Sequence, residues 1–463
     1  MRGFFVFISS AFAIACGGAE PSDEVVVLRH EPLGPLAGYS MDTLAETLVV
    51  RAIRITDAGE EPVAGLEIGW SAPDAELGAV VPEVSVTDAD GYARARWVLG
   101  IGSGPQQATA RNLNGNGMVR FDATARPGLV ATQLKRTDAS GQAATCAMDA
   151  DGAIWCWGTI PALALPIPVT GAPLLSSLLG ASSHTCGLTE AGALWCWGSS
   201  RTGWIEIVSG ADPSSIPVRI APDIQFASVV PSWHTICGVA IGGSGYCWGR
   251  GMFGDGNEGR RDFNDPVLVS GSTHWKEIVP VSDEAVFAIS ESLQPHVWGI
   301  DQNEDGLWPD NYQYYGVDHE GELTVPVPIP IVSGISDLVG LEGNVCGLKD
   351  GAAVCWGIGV DIDWLLTSPP GPVTVSAPSG QFVKLVAHVR NYSGLTSDGE
   401  IYTWGRSPEQ VIRVPGRGPW LTIESGLDGG LCAILAADST VYCWDFRSVP
   451  LGPPRPVPAP EQP

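Results

Sequence analysis

From residue 129 onward, apolar residues fall in short runs, two at a time, about a Gly-containing turn: TCAMDADGAIWCWG (145–158), VCGLKDGAAVCWG (345–357) and YSGLTSDGEIYTWG (392–405). Short apolar runs bounded by turn residues predict strands, and each pair predicts a β-hairpin. A further run follows each hairpin, as in PIPVTG (166–171) and PVLVSG (266–271), and another often precedes it, as in FVKLVAH (382–388). Each hairpin ends on Trp-Gly or Trp-Asp, at Trp157, Trp197, Trp248, Trp298, Trp356, Trp404 and Trp444, spaced 40 to 58 residues apart. Four strands per unit and seven units predict a seven-bladed β-propeller over residues 129–460. A propeller must close its ring, and PVPAP (456–460) has no later hairpin to join, so residues 455–460 are expected to supply the missing strand of the first blade.

Upstream the pattern changes to alternation. LEIGW (66–70) sets Leu66, Ile68 and Trp70 against Glu67 and Gly69, and YARARWVL (92–99) sets Ala93, Ala95, Trp97 and Leu99 against Tyr92, Arg94 and Arg96. Strands with one apolar face over residues 25–125 predict a separate β-sandwich, and RPG (126–128) is the junction. The whole is expected to be all-β, in keeping with 58 Gly, 37 Pro and 17 Trp in 463 residues.

Charge narrows the partners. Lys and Arg total 25 against 51 acidic residues, for a formal net charge of −26, and no basic stripe is present. Phosphate-dominated nucleic-acid binding is thereby disfavoured. At the N-terminus, Arg2 precedes an apolar run from Phe4 to Ala15, too short to span a bilayer, ending in Ala13-Ile14-Ala15-Cys16. This predicts a signal peptide over residues 1–15, read either as ordinary cleavage or as a lipobox that lipidates Cys16. Residues 16–24 then form a tether, and the protein is expected to be exported and lipid-anchored at the outer membrane or cell surface.

Ten of the eleven cysteines fall in the hairpins, as Cys146/Cys156, Cys186/Cys196, Cys237/Cys247, Cys346/Cys355 and Cys432/Cys443. The fourth unit has Phe287 and Val297 in those places and the sixth has Ser393 and Thr403, so the pair is kept or lost as a whole. Directly opposed residues of a hairpin lie within disulfide range, and an exported chain meets oxidising conditions. Zinc would need four converging ligands, whereas these pairs lie on separate blades. Five local disulfides are expected; the leftover cysteine is Cys16, at the lipobox position, so the odd count fits lipidation without a stray thiol.

HTCGLTEAGALWCWG (184–198) and WGRGMFGDGN (248–257) resemble the repeat of the regulator of chromosome condensation family. The resemblance implies a propeller, and secreted relatives imply a protein-binding use; the wedge and loops with which the nuclear member exchanges nucleotide have no match here. VRAIRITDAGEEPVAGLEIGW (50–70) resembles bacterial immunoglobulin-like domains of invasin and intimin type, which implies a stalk.

Motifs for chemistry are few. GRGMFG (249–254) matches the Gly-x-Gly-x-x-Gly spacing of nucleotide-binding turns, but no helix pattern follows and the repeat needs its turn there. Asp301, Asn303 and Asp305 match the first half of a calcium loop, with Tyr312 where the bidentate Glu belongs; apart from this partial calcium site, no cofactor is expected. His184 and His234 are read as histidines bonded within their blades. Trp308, Tyr312, Tyr314 and Tyr315 in the insertion 301–325 form a candidate binding loop. No catalytic set is identifiable by spacing. The function expected is a non-enzymatic, monomeric surface lipoprotein binding a protein or glycan; the alternative is a secreted carbohydrate-active enzyme with an acidic site on one propeller face.

Overall fold

The computed structural model describes residues 26–30, 34–39, 43–72, 78–100, 104–126, 128–139, 142–158, 165–180, 184–198, 216–232, 234–271, 274–281, 285–299, 322–341, 344–357, 372–388, 391–405, 411–416, 418–425, 430–444 and 454–459. Every helix or strand element among them is a strand. The chain divides into two compact units, with the main boundary between Thr124 and Ala125.

The first unit holds two five-stranded sheets. One runs in the order Val26–His30, Thr43–Thr56, Tyr92–Val98 and Ala79–Val81, with Gly59–Pro62 also paired to Thr43–Thr56; the other runs Leu36–Tyr39, Met118–Arg126, Gly104–Asn112, Glu67–Ser71 and Val84–Val86. The alternation seen in the sequence is realised: Ile68, Trp70, Ala93, Ala95, Trp97 and Leu99 are buried, while Glu67, Arg94 and Arg96 are exposed. Buried residues come from both sheets, and Trp70 Nε1 donates to Ser85 Oγ at 2.8 Å, which satisfies the one polar atom of a buried indole.

Among its described residues, the second unit holds seven four-stranded sheets, each built from four consecutive strands paired in chain order. The first comprises Gln133–Ala139, Gln142–Met148, Ile154–Gly158 and Ile167–Pro168; the seventh comprises Trp420–Ser425, Leu431–Leu435, Val441–Trp444 and Arg455–Pro456. The opening strands of the sheets between are Ser177–Gly180, Phe226–Pro231, Trp275–Pro280, Ser336–Leu341 and Phe382–His388. These opening strands neighbour one another in chain order, and that of the seventh sheet neighbours that of the first, so the sheets form a closed ring.

The central hairpin of the first sheet shows why the turn forms. Asp149 Oδ1 accepts the backbone N–H of Asp151 and of Ala153, each at 2.9 Å, and Gly152 takes φ +82°, where a side chain would be strained. The two strands that flank this turn place Cys146 opposite Cys156, and the same register recurs in the other cysteine-bearing hairpins. All five pairs are disulfides, with Cα atoms 4.0–4.1 Å apart. In the fourth sheet Phe287 faces Val297 and in the sixth Ser393 faces Thr403, where the five others have sulfur.

Closure differs from the expectation. Arg455 and Pro456 pair with Cys443 and Tyr442, completing the seventh sheet; the first sheet finds its fourth strand in Ile167–Pro168. The chain folds back on the strand it has just left, as in every other sheet, because that edge is adjacent and unpaired. The lead-in to the first sheet instead reaches the seventh: Leu129 N–H donates to Val457 O and Val441 N–H to Leu129 O, both at 2.8 Å. Gly128 bridges Pro458 and Val130 bridges Thr440, with Leu129 and Val457 buried between.

Candidate functional site

The opening strands of the ring carry a repeated three-residue pattern. The central residue of each triplet, Leu134 in the first sheet through Ile423 in the seventh, is apolar and at most 4% exposed. The residue before it is polar and partly exposed in all seven: Gln133, Ser177, Ser228, Glu277, Asp337, Lys384 and Thr422. The residue after it, opposite the first cysteine position, is Leu or Val in five sheets but Lys135 in the first and Glu424 in the seventh. Period-2 alternation thus sends the apolar member into the packing between sheets and leaves a polar girdle on the inner edge.

The girdle stitches five of the seven neighbouring pairs of sheets: first to second, fourth to fifth, fifth to sixth, sixth to seventh and seventh to first. Gln133 Nε2 donates to Ser176 O at 2.7 Å, and its Oε1 accepts from Leu178 N–H at 2.9 Å. Glu277 Oε2 accepts from Leu338 N–H at 3.3 Å and Asp337 Oδ2 from Leu385 N–H at 3.2 Å. Lys384 Nζ donates to Thr422 Oγ1 at 2.9 Å, and Lys135 Nζ lies 2.8 Å from Glu424 Oε2. Strand N–H groups left without a ladder partner at the inner edge are thereby satisfied by the neighbouring sheet.

Burial and mutual charge set how these groups titrate. Burial, reinforced by the nearby Asp337 carboxylate, pushes Glu277 up to about 7, against the pull of Leu338 N–H, Lys276 and Lys135. Burial also raises Asp337 and lowers Lys384. Glu424 goes the other way: burial opposes ionisation, but Lys135 and Lys384 outweigh it and hold the carboxyl below its ordinary value. Glu424 in turn raises Lys135. Chemically, the girdle holds charge pairs and, at Glu277, exchanges a proton near neutral pH.

A serine–histidine contact occurs in the sixth sheet, where His388 Nε2 lies 2.8 Å from Ser393 Oγ. His388 is 1% exposed and Ser393 0%, so no substrate reaches the hydroxyl. Ser393 stands where five of the other sheets have their first cysteine, opposite Thr403, and its hydroxyl is satisfied by His388 on the opening strand.

The sequence candidates fall as follows. Cys16, Asp301, Asn303, Asp305, Trp308, Tyr312, Tyr314 and Tyr315 lie outside the described residues. So does the side chain of His184; His234 O accepts the N–H of Arg250 at 2.7 Å, a bond within its sheet. GRGMFG is accounted for by packing: Gly254, at φ +67°, lies so close to the Trp298 indole that a Cβ would stand 2.8 Å from Nε1, and that Nε1 donates to Met252 O. Among the described residues no three His, Cys, Asp or Glu side chains converge as metal ligands. The girdle residues Lys135, Glu277, Asp337, Lys384 and Glu424 escaped the sequence reading; the available signal was their place on either side of the apolar centre of each opening strand, Glu277, Asp337 and Lys384 before it and Lys135 and Glu424 after it.

The model of the regulator of chromosome condensation (RCC1) repeat matches residues 180–203, which span the second disulfide hairpin. Among solved structures, Prp20p from Saccharomyces cerevisiae is similar at 15% identity and a TM-score of 0.51, over 66% of this chain and 85% of that one. The fold of the second unit is an RCC1-type β-propeller. Human WBSCR16 is similar at 17% identity and a TM-score of 0.49, over 66% of this chain and 89% of that one. The CRINKLY WD40 ectodomain of the Arabidopsis thaliana receptor kinase ACR4 is similar at 17% identity and a TM-score of 0.45, over 72% of this chain and 99% of that one. No curated protein matches the chain.

Proposed function

We propose that this protein is an exported, lipid-anchored binding module. Its RCC1-type propeller, read as seven blades, presents its ends to a protein or glycan partner, without catalysis and as a monomer. Cys16 carries the lipid, and the first unit acts as an immunoglobulin-like stalk. The observation that carries this reading is the set of five directly opposed cysteine pairs, nine of whose ten residues are at most 4% exposed. Disulfides at that depth belong to oxidising compartments, and a ring stapled in this way is a rigid support for recognition. The apolar run Phe4–Ala15 before Cys16 agrees with export. Prp20p, a structure described together with its binding to Gsp1p and histones, is a protein-binding propeller of similar fold.

Cross-linking on intact cells tests the binding role, with recovery of one protein or glycan class expected and recovery of none opposing it. Detergent-phase partition that disappears with Cys16→Ala tests the anchor.

A further inference from the structure

All seven hairpin turns lie at one end of the ring. The first and second strands of each sheet are antiparallel, so the first begins where the second reaches its turn. Contacts between sheets mark the same end: Leu174, in the lead-in of the second sheet, lies over Gly152 in the turn of the first, and Ile241, in the turn of the third, reaches Gly192 in the turn of the second.

Large apolar side chains stand in solvent at this end. Leu174 is 75% exposed, Ile241 61%, Leu421 56% and Val383 52%. Val383 and Leu421 are bulge residues: pairing skips from Phe382 to Lys384 and from Trp420 to Thr422, which ejects the residue between. The same bulge place holds the small Ala227 in the third sheet and Lys276 in the fourth, so among these four bulges a large apolar side chain stands only in the sixth and seventh sheets. The Lys384–Thr422 hydrogen bond joins the two strands one residue beyond, which sets Val383 and Leu421 on adjoining strands. Exposed acids on the turns surround them: Asp151, Glu190, Glu291, Asp350 and Asp398.

We propose that this turn face is a docking surface for a protein segment in which basic residues flank apolar ones. The inference rests on the binding-module reading and assigns it a face and a partner chemistry. Complementary charge selects the occupant, because a second copy of the same face, in a chain of net charge −26, would set acid against acid, and nucleic acid would meet the same repulsion. The exposed apolar residues supply area that water leaves on contact, and the acid rim supplies steering.

The full chain is titrated with two synthetic peptides of equal length, one alternating Lys and Leu and the other Glu and Leu, at low and high salt. The Lys/Leu peptide is expected to bind, more weakly at high salt, and the Glu/Leu peptide not to bind. Val383→Ser with Leu421→Ser leaves every charge in place and is expected to weaken binding about tenfold. Leu174→Ser with Ile241→Ser acts in the same direction and guards against a local folding defect in the first pair. Glu190→Gln with Asp350→Asn weakens binding at low salt. Binding unchanged in both apolar pairs overturns the proposal, since attachment would then be diffuse attraction to an acidic surface. Binding abolished instead by Trp308→Ala with Tyr314→Ala, in the connection that leaves the fourth sheet at Gly299 and returns at Leu323, overturns the face and leaves the binding-module reading standing. Failure of both peptides, together with an empty intact-cell cross-linking, removes both.

Discussion

Lys135 Nζ and Glu424 Oε2 stand 2.8 Å apart and join the opening strand of the first sheet to that of the seventh, across the seam where the ring closes. Their side chains are 34% and 12% exposed, and in the five other sheets the same place holds Leu or Val. Lys135→Met strands the better buried partner, Glu424, and should lower unfolding free energy by about 2 kcal/mol, less than for a fully enclosed pair because Lys135 keeps contact with solvent. Lys135→Leu with Glu424→Val should restore most of it, because the pair then matches the other sheets. Denaturant melts of the two variants check this; a double variant no better than the single contradicts it.

Glu277 makes stability depend on pH. Its folded pKa of about 7 lies above the ordinary 4.5, so the folded state holds the proton more tightly than the unfolded chain. The contribution of this group is fully present below about 4.5 and is lost as pH rises to about 7, by on the order of 2–3 kcal/mol. Glu277→Gln keeps an acceptor for Leu338 N–H without the buried charge, so it should stabilise the protein at pH 8 and change little at pH 4.5. Melting temperature followed across that range checks the sign; parallel curves for wild type and variant oppose it.

What the sequence discloses, and what it hides, follows from where each signal is written. The hairpins were legible because the turn glycine, the paired cysteines and the closing Trp repeat at nearly fixed distances, and direct opposition of Cys146 and Cys156 follows from hairpin geometry alone. The closing contact was not legible. PVPAP resembles the fourth strand of any sheet, and nothing local says that the free edge beside Tyr442 and Cys443 is taken by the segment just after it. The girdle was hidden for a different reason: Gln133, Ser177, Glu277 and Lys384 share a position but no chemistry, so only their common register reveals them as one structure.

The seam also depends on packing. Leu129 and Val457 are 3% and 5% exposed, and their backbones exchange a hydrogen bond between the lead-in and the C-terminal segment. Leu129→Ala should cost about 3 kcal/mol. Deletion of residues 454–463 removes both the fourth strand of the seventh sheet and this clasp, and should lower the melting temperature more than Leu129→Ala does. Differential scanning calorimetry of the two variants checks the order.

Each disulfide closes a hairpin with a sequence separation of 9 to 11, which in the chain-entropy picture is worth up to about 3 kcal/mol. Cys346→Val with Cys355→Val copies the apolar solution of the fourth sheet, where Phe287 faces Val297, so the variant should fold and melt lower by about 2 kcal/mol. A melt equal to wild type would mean that the bond adds nothing beyond packing.

The most direct measurement is a disulfide map of the protein taken from its own cells, alkylated before lysis and digested without reductant. Recovery of Cys146–Cys156, Cys186–Cys196, Cys237–Cys247, Cys346–Cys355 and Cys432–Cys443, with no free thiol among the ten, is the expected result. Alkylated cysteines in the hairpins, or bonds crossing between sheets, would contradict the stapled ring and the export proposed for it.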